Sequence, residues 1–475
     1  MKIISAIICI SLLLVLYSST LLSKITQNKA STDADALQLR HIYDHALLHG
    51  QCYEDLRYLA TQIGGRVSGS PQAAAAVEWA RQTLETIGLD TVYLQPVMVP
   101  HWVRGGKEQA RIISNHIGHQ DVNVCALGGS VGTGKWGISA PVIAINDLKE
   151  LDKLGKKQVA GKIVFLNHPM NDKHLDTFTA YSECANDRRV GASTAAKMGA
   201  LAFVLRSLGN AIDEHPHTGV MQYEENVERI PAAAISTRDA EYLSGLLAQD
   251  PNLRFYLNMQ CQNLPDALSY NVIGEIKGSQ MPNEVIVVGG HLDAWDNGQG
   301  AHDDGAGVVQ SIEVLRIMKQ LGLKPKRTLR CVLFMNEENG ARGAAKYAEF
   351  AKNNTNQKHI LAIESDRGGF APRGFSVDAK DSLMVKARLQ QFQQWQPLFE
   401  PYQLHWWKPG YSGVDINFLK DQNLTLMGYI PDPQRYFDYH HTPNDTFDKI
   451  NKRELELGAA AMTSLSYMVS EHGWE

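Results

Sequence analysis

Cysteine is scarce in this chain and widely scattered: Cys9, Cys52, Cys125, Cys184, Cys261 and Cys331 among 475 residues. No Cys-x-x-Cys pair occurs, which argues against a thiolate zinc site. Cys9 falls in the apolar N-terminal stretch, and the other five are odd in number, so they cannot all pair within the chain. Small buried thiols, with at most one or two disulfides, are therefore expected. A large charge of one sign is lacking as well. The net charge is -5 and there is no long basic run, which gives no basis for nucleic-acid binding. After the N-terminus no apolar run is long enough to suggest a membrane span.

That N-terminus is distinct. Lys2 precedes a mostly apolar stretch from Ile3 to Tyr17, followed by the small residues Ser18, Ser19 and Thr20. The order reads as a secretory signal peptide over 1–25. An uncleaved anchor is the alternative, because the run extends weakly to Leu22. Export is expected in either case, to the extracellular space or a periplasm, with membrane contact only if the segment stays uncleaved. The full sequence is 44% hydrophobic and 20% charged, ample for more than one compact unit or for one large domain with an insertion.

Punctuation then marks out elements. A helix is expected over Gln38–Tyr58. In "GGRVSGSPQAAAAVEWARQTLETIG" Ser70 suits the N-cap, Pro71 the first helical position and Gly88 the stop. "TVYLQPVMV" reads as a strand. Between about 110 and 260 the pattern changes to short strands, glycine turns and two short helices, with "KIVFLN" and "ALAFVLRS" as strands and "STAAKMG" as helix. "GSVGTGKW" mimics a phosphate loop, yet Trp136 stands where a magnesium-binding hydroxyl belongs, so it reads as an ordinary glycine loop. From residue 265 to the end, strands ("EVIVVGGH", "RTLRCVLFMNEE", "HILAIESD") alternate with helices ("GAGVVQSIEVLRIMKQLG", "GAAKYAEFAKN"). Such alternation implies an α/β fold with a parallel-cored sheet and right-handed crossovers.

Polar residues gather where each of these strands ends: His291, Glu337 and Glu338, and Asp366. Ligands bind beyond the carboxyl ends of strands in sheets of this kind. The glycine-rich "GGHLDAWDNGQGAHDDGAG" adds Asp293, Asp296, Asp303 and Asp304, acids that repel one another unless a cation sits among them. "DYHHTPNDTFD" adds His440 and His441. Oxygen and imidazole donors without thiolate suit zinc, and manganese or cobalt would also fit. A metal pair sharing one carboxylate would offset the repulsion. Taken singly, a His-x-Asp is usually a surface pair and a Glu-Glu a solvated loop; their recurrence on successive strand ends favours one joint site.

These segments, with "GGRVSGS", "VPHWVRG", "PHTGVMQYEENVERIP" and "GVDINF", resemble the co-catalytic zinc peptidases of the leucyl aminopeptidase family across nearly all of the chain after the signal. The resemblance implies a mixed sheet with a mostly parallel core sandwiched by helices, over 38–109 and 265–475, and a smaller protease-associated-like domain inserted over 110–260. It implies two zinc ions held by His291, Asp303, Glu338, Asp366 and His441, with Asp303 as the bridge; which donor belongs to which ion stays open. Asp293 would hold the His291 ring through its other nitrogen, and Asp304 would support the site without ligating. Glu337 would be the general base. His440 would stand where relatives carry an oxyanion-contacting tyrosine, with a packed loop residue as the alternative. The family pattern sets the ligand histidine four residues before an acidic-Thr pair, here Asp445-Thr446, which selects His441. Adjacent side chains on an extended loop point in opposite directions, so His440 and His441 are not expected to share a metal. His302 and Asp296 would be loop residues or supports.

The resemblance further implies a cis peptide between Asp303 and Asp304, short peptide substrates, dipeptides especially, and a homodimer. It places Ser412 and Asp415 of "KPGYSGVDINF" near a free substrate terminus. Two other functions stay open: a glutaminyl-peptide cyclotransferase with a single zinc, and a catalytically inactive peptidase-like binding protein. Metal stoichiometry and product masses separate the first from a hydrolase. The presence of every expected ligand and of Glu337 weighs against the second.

Overall fold

A computed structural model describes residues 33–474. The expected signal or anchor segment lies outside the described residues. Among those described, no helix is long and apolar enough to cross a membrane.

The first sheet runs, in spatial order, Thr91–Val103, Gln262–Ile276, Arg327–Phe334, Met281–His291, Lys358–Glu364, Thr425–Pro431, Pro372–Asp378 and Trp406–Pro409. Its four central strands, from Arg327–Phe334 to Thr425–Pro431, are mutually parallel. The pairs flanking this centre are antiparallel, except that the edge strand Trp406–Pro409 runs parallel to Pro372–Asp378. Buried on both faces, the central strands read as unbroken apolar runs, as parallel strands must. Alternate residues face opposite ways. Ile286 and Val288 meet the helices Ala306–Gln320 and Lys452–His472, while Val285 and Val287 meet the helix Arg342–Asn353.

Every strand of the second sheet comes from residues 109 to 258, between two strands of the first sheet that pair along most of their length. Its order is Gly118–Val122, Gln109–Ser114, Arg254–Asn258, Ile138–Ile145, Ile163–Leu166, Ala202–Arg206, Ala232–Ile235 and Val124–Ala126. The glycine loop at Gly129–Trp136 leads into the strand Ile138–Ile145 rather than a helix. All five described cysteines are buried and free.

The start of the helix at Pro71 is as its residues dictate: Ser70 accepts a hydrogen bond from the Ala73 amide, and Pro71 occupies the first position. Two expectations need correction. The single helix over Gln38–Tyr58 is broken at Gly50, giving a helix over 33–49 and another at Cys52–Tyr58, as the poor helix propensity of glycine favours. The second sheet carries three helices rather than two short ones, and Thr177–Lys197 is 21 residues long. Its inner face is built from small residues, including Ala180, Cys184, Ala192 and Ala195, so no large apolar stripe announces it.

Arg66 fixes the loop that follows the strand Met281–His291. It is wholly buried, and its guanidinium donates to the carbonyls of Leu292 (2.6 Å), Gln299 (3.0 Å), Gly300 (3.1 Å) and Gly64 (3.2 Å). A planar fork of donors satisfies several carbonyls at once, which an ammonium cannot match. Arg66→Met should therefore destabilise the protein by about 3 kcal/mol or more, through stranded carbonyls beneath the acidic loop. Urea unfolding checks this; an unshifted midpoint contradicts it.

Candidate metal centre

The strands deliver the site in register. His291 pairs with Phe334, and Gly289 with Glu364, so His291, the Glu337-Glu338 turn and Asp366 leave the sheet at one level. Asp303 comes from the turn at Ala301–Gly305, just before the helix Ala306–Gln320, and its peptide bond to Asp304 is cis. His441 comes from the loop before the last helix, with φ +63°.

Asp303 lies at the middle. One carboxylate oxygen is 3.2 Å from His291 Nε2, which is also 3.5 Å from Asp366 Oδ1. Its other oxygen is 3.2 Å from His441 Nε2, which is in turn 3.1 Å from Glu338 Oε2. Three overlapping groups of donors lie close enough to hold a cation: Asp303 with His440 and His441, His291 with Asp303 and Glu338, and His291 with Asp304 and Asp366. Asp303 Oδ2, Glu338 Oε1 and Asp366 Oδ1 are buried without a hydrogen-bond donor. Buried carboxylate oxygens so placed call for a cation, and the nitrogen-and-oxygen donor set fits zinc.

The surrounding residues hold these donors in place. The ring Nδ1 of His291 meets the main-chain carbonyl of Asp293 at 2.9 Å, whereas the Asp293 carboxylate stands off at 3.9 Å. That carboxylate instead accepts from the amides of Asn336, Glu337 and Glu338, setting the turn that presents the two glutamates. Asp304 accepts from the amides of His291 (3.0 Å) and Gly307 (3.1 Å). A Cβ on Gly290 or Gly307 would stand within 2.6 Å of its carboxylate oxygens, which accounts for glycine at both positions. Asp445 accepts from the amides of His302 and Asp303. His302 stacks against Phe370 and against Tyr439, and Asp296 pairs with Arg104.

Electrostatics follow burial. Burial pushes the Glu337 carboxyl well above its usual range, with Asp366 and Glu338 adding to it despite His291, and raises Glu338 to about 7. For His291 and His441 the carboxylates outweigh burial and hold both rings well above the usual imidazole value. His440 moves the other way, well down, through burial and the adjacent His441.

The opposed orientation expected for His440 and His441 does not hold. Their rings stack at 3.5 Å between centroids, because the left-handed backbone at His441 folds the loop instead of extending it. His440 Nε2 is 3.7 Å from Asp303 Oδ2, and its ring packs against Tyr181, Tyr436 and Phe437.

A cavity of about 590 Å³ opens on this cluster, lined by Glu337, Asp366, His440 and His441 from the first sheet's side and by Phe178, Tyr181 and Arg188 from the helix Thr177–Lys197. Tyr411, Gly413 and Val414 form another wall. Ser412 and Asp415, at 2% and 1% exposed, are buried outside the lining. Arg66 and Glu364 were not singled out by sequence. The only hint of either was Arg66 in "GGRVSGS" and Glu364 beside Asp366. Glu364 is buried, accepts from the Ile416 amide at 2.8 Å and is pushed up to about 8 by burial and Asp366.

The model of "Peptidase family M28" matches residues 271–466. Carboxypeptidase Q of Bos taurus is 37% identical over 88% of this chain and 85% of its own length. That of Xenopus laevis is 38% identical over 90% and 87%. A solved peptidase M28 precursor from Shewanella amazonensis SB2B superposes with a TM-score of 0.86 at 33% identity, covering 92% of this chain and 97% of that one. Likeness of this extent spans both sheets as well as the acidic cluster, so the chain belongs to peptidase family M28 and is a metallo-exopeptidase.

Proposed function

We propose that this peptidase is a zinc enzyme that releases terminal residues from short peptides, dipeptides above all, and that His291, Asp303, Glu338, Asp366 and His441 would hold two zinc ions. The observation that carries the reading is the placement of Asp303, one oxygen against His291 and the other against His441. His291 and Asp366 would hold one ion, and Glu338 and His441 the other. Zinc held by these residues would supply a more acidic bound water and a polarised substrate carbonyl.

Glu337 lines the cavity beside Glu338 and belongs to no ion in this assignment. It accepts the proton of the attacking water and passes it to the leaving amine. Asp293 keeps Glu337 at this post by binding its amide at 3.0 Å. Neutral His440 offers an N–H to the oxygen on which negative charge develops. The Thr177–Lys197 helix of the 110–260 insertion walls the cavity, which suits small substrates. The carboxypeptidase Q relatives support the exopeptidase reading. Export by the 1–25 segment and assembly as a homodimer belong to the same proposal.

Incubating the purified, zinc-loaded protein with dipeptides and with end-blocked peptides, with and without a chelator, tests the reading. Chelator-sensitive release of free amino acids is expected, and activity indifferent to metal would defeat it. Glu337→Gln should retain both zincs and lose at least about 100-fold in kcat, since an amide accepts no proton at neutral pH. Near-normal turnover in a fully loaded variant rules out Glu337 as the base.

The stacked histidines give a second, sharper test. His441→Ala should lower zinc per chain and abolish activity, while His440→Ala should keep both metals and slow catalysis by roughly 10²–10³. Zinc analysis of both variants decides the matter: metal loss confined to His440→Ala reverses the assignment.

A further inference from the structure

Arg188 is 3% exposed and lines the cavity, yet it forms no ion pair with any carboxylate among the described residues. A buried guanidinium keeps its charge, so one without an acid is costly unless something else supplies the anion. Its Nε donates to the Val220 carbonyl at 3.3 Å, and its Cζ lies 5.6 Å from the centre of the Tyr181 ring. The backbone at Gly219 presses against it so closely that a Cβ there would stand 2.4 Å from Cζ. The guanidinium is thus held by a ring, a carbonyl and a main-chain segment. No acceptor among the described residues is hydrogen-bonded to its two terminal nitrogens.

The surroundings are those of an anion site close to the reacting centre. Phe178, Tyr181 and Arg188 follow one another at helical spacings of three and seven, which sets them on one face of Thr177–Lys197, towards the cavity. Tyr181 packs edge-on against His440 at 5.1 Å, and the segment that clamps Arg188 continues to Thr218, whose carbonyl meets His441 Nδ1 at 3.2 Å. Arg188 is therefore one aromatic ring away from the stacked histidines. Of the two other arginines on the cavity wall, Arg189 is exposed, and Arg367 differs: burial lowers its pKa, Asp176, Asp366 and Glu364 oppose that, and it donates to the Tyr411 carbonyl.

We propose that Arg188 binds the terminal carboxylate of the peptide, so that the enzyme selects substrates with a free C-terminus one or two residues beyond the scissile bond. The inference rests on the peptidase reading above and deepens it. A guanidinium meets a carboxylate through two parallel N–H donors, a match that a neutral amide cannot reproduce. The subsite belongs to the insertion, whereas the metal donors come from the first sheet, so specificity and chemistry reside on separate parts of the chain.

The test compares a dipeptide with the same dipeptide amidated at its C-terminus, on zinc-loaded wild type, Arg188→Gln, Arg188→Lys and Arg367→Gln. Wild type should prefer the free acid. Arg188→Gln should reduce the acid-to-amide ratio of kcat/KM by roughly 10- to 100-fold, the scale of a charged hydrogen bond, with Arg188→Lys intermediate. Arg367→Gln should keep the ratio. Equal loss on both substrates in Arg188→Gln and Arg188→Lys would mark a packing role and overturn the proposal, as would a ratio that collapses in Arg367→Gln instead. No acid preference in the wild type overturns it too, with the peptidase intact. Inactivity of zinc-loaded wild type towards both substrates overturns the peptidase reading itself, and the subsite with it.

Discussion

Burial of negative charge is the constraint on which the rest of this structure depends. Asp293, Asp303, Asp304, Glu338, Glu364, Asp415 and Asp445 are all buried at one end of the first sheet. Carboxylates taken out of water in such numbers either take up protons or find positive partners. Arg66 lies beneath them; burial lowers its pKa, and Asp445, Asp293, Asp304 and Glu338 only partly oppose that. One guanidinium, spent on four carbonyls, cannot balance the cluster. The two histidines flanking Asp303 help only when protonated, a state in which they cannot ligate metal. A divalent cation would remove the conflict: it would compensate the acids and leave the imidazoles neutral.

The sheet makes this concentration attainable. Parallel strands all end on the same side, so each crossover returns a new strand end to the same edge of the site, and helices cover both faces. The antiparallel flanks contribute no ligand. Instead, the strands Thr91–Val103 and Gln262–Ile276 form a long ribbon from which the second sheet departs and to which it returns. Burial on both faces makes the strands that carry the candidate donors rigid, which a metal site requires of its donors. Most of the side chains that the insertion sends to the cavity, Tyr181 and Arg188 among them, lie on a single helix.

Legibility in the sequence tracks the range of the physics involved. Ser70, Pro71 and the central strands were readable because caps, proline positions and apolar runs are local or nearly so. The candidate donors His291, Asp303, Glu338, Asp366 and His441 were readable because unusual chemistry recurs at the ends of those strands, and the structure brings the other four close to Asp303. The long helix Thr177–Lys197 was not, since a face of alanine and cysteine gives little amphipathic signal. Arg66 and Arg188 escaped notice because an arginine is unremarkable until its surroundings are known; their partners lie far away in sequence or are lacking. The stacking of His440 on His441 depends on one residue with positive φ, a state that a histidine seldom adopts and sequence does not advertise.

The doubled acids of the sequence turn out not to be duplicates. Of Asp303 and Asp304, the first faces the histidines and the second accepts the His291 and Gly307 amides. Asp366 reaches His291, while Glu364, two residues earlier, holds the amide of Ile416. Glu337 and Glu338 both face the centre, and the amide-binding part passes to Asp293. Asp445 does the same for Asp303 itself. In each case one carboxylate spends its lone pairs on backbone N–H groups, which fixes the chain, and its neighbour is left with oxygens that nothing else satisfies. A carboxylate bound to amides is a poor metal ligand, and one without them is a poor organiser of backbone. Pairing the two kinds lets a glycine-rich loop hold a ligand as firmly as a strand does, which is why bulk at Gly290 and Gly307 is excluded where Asp304 must approach.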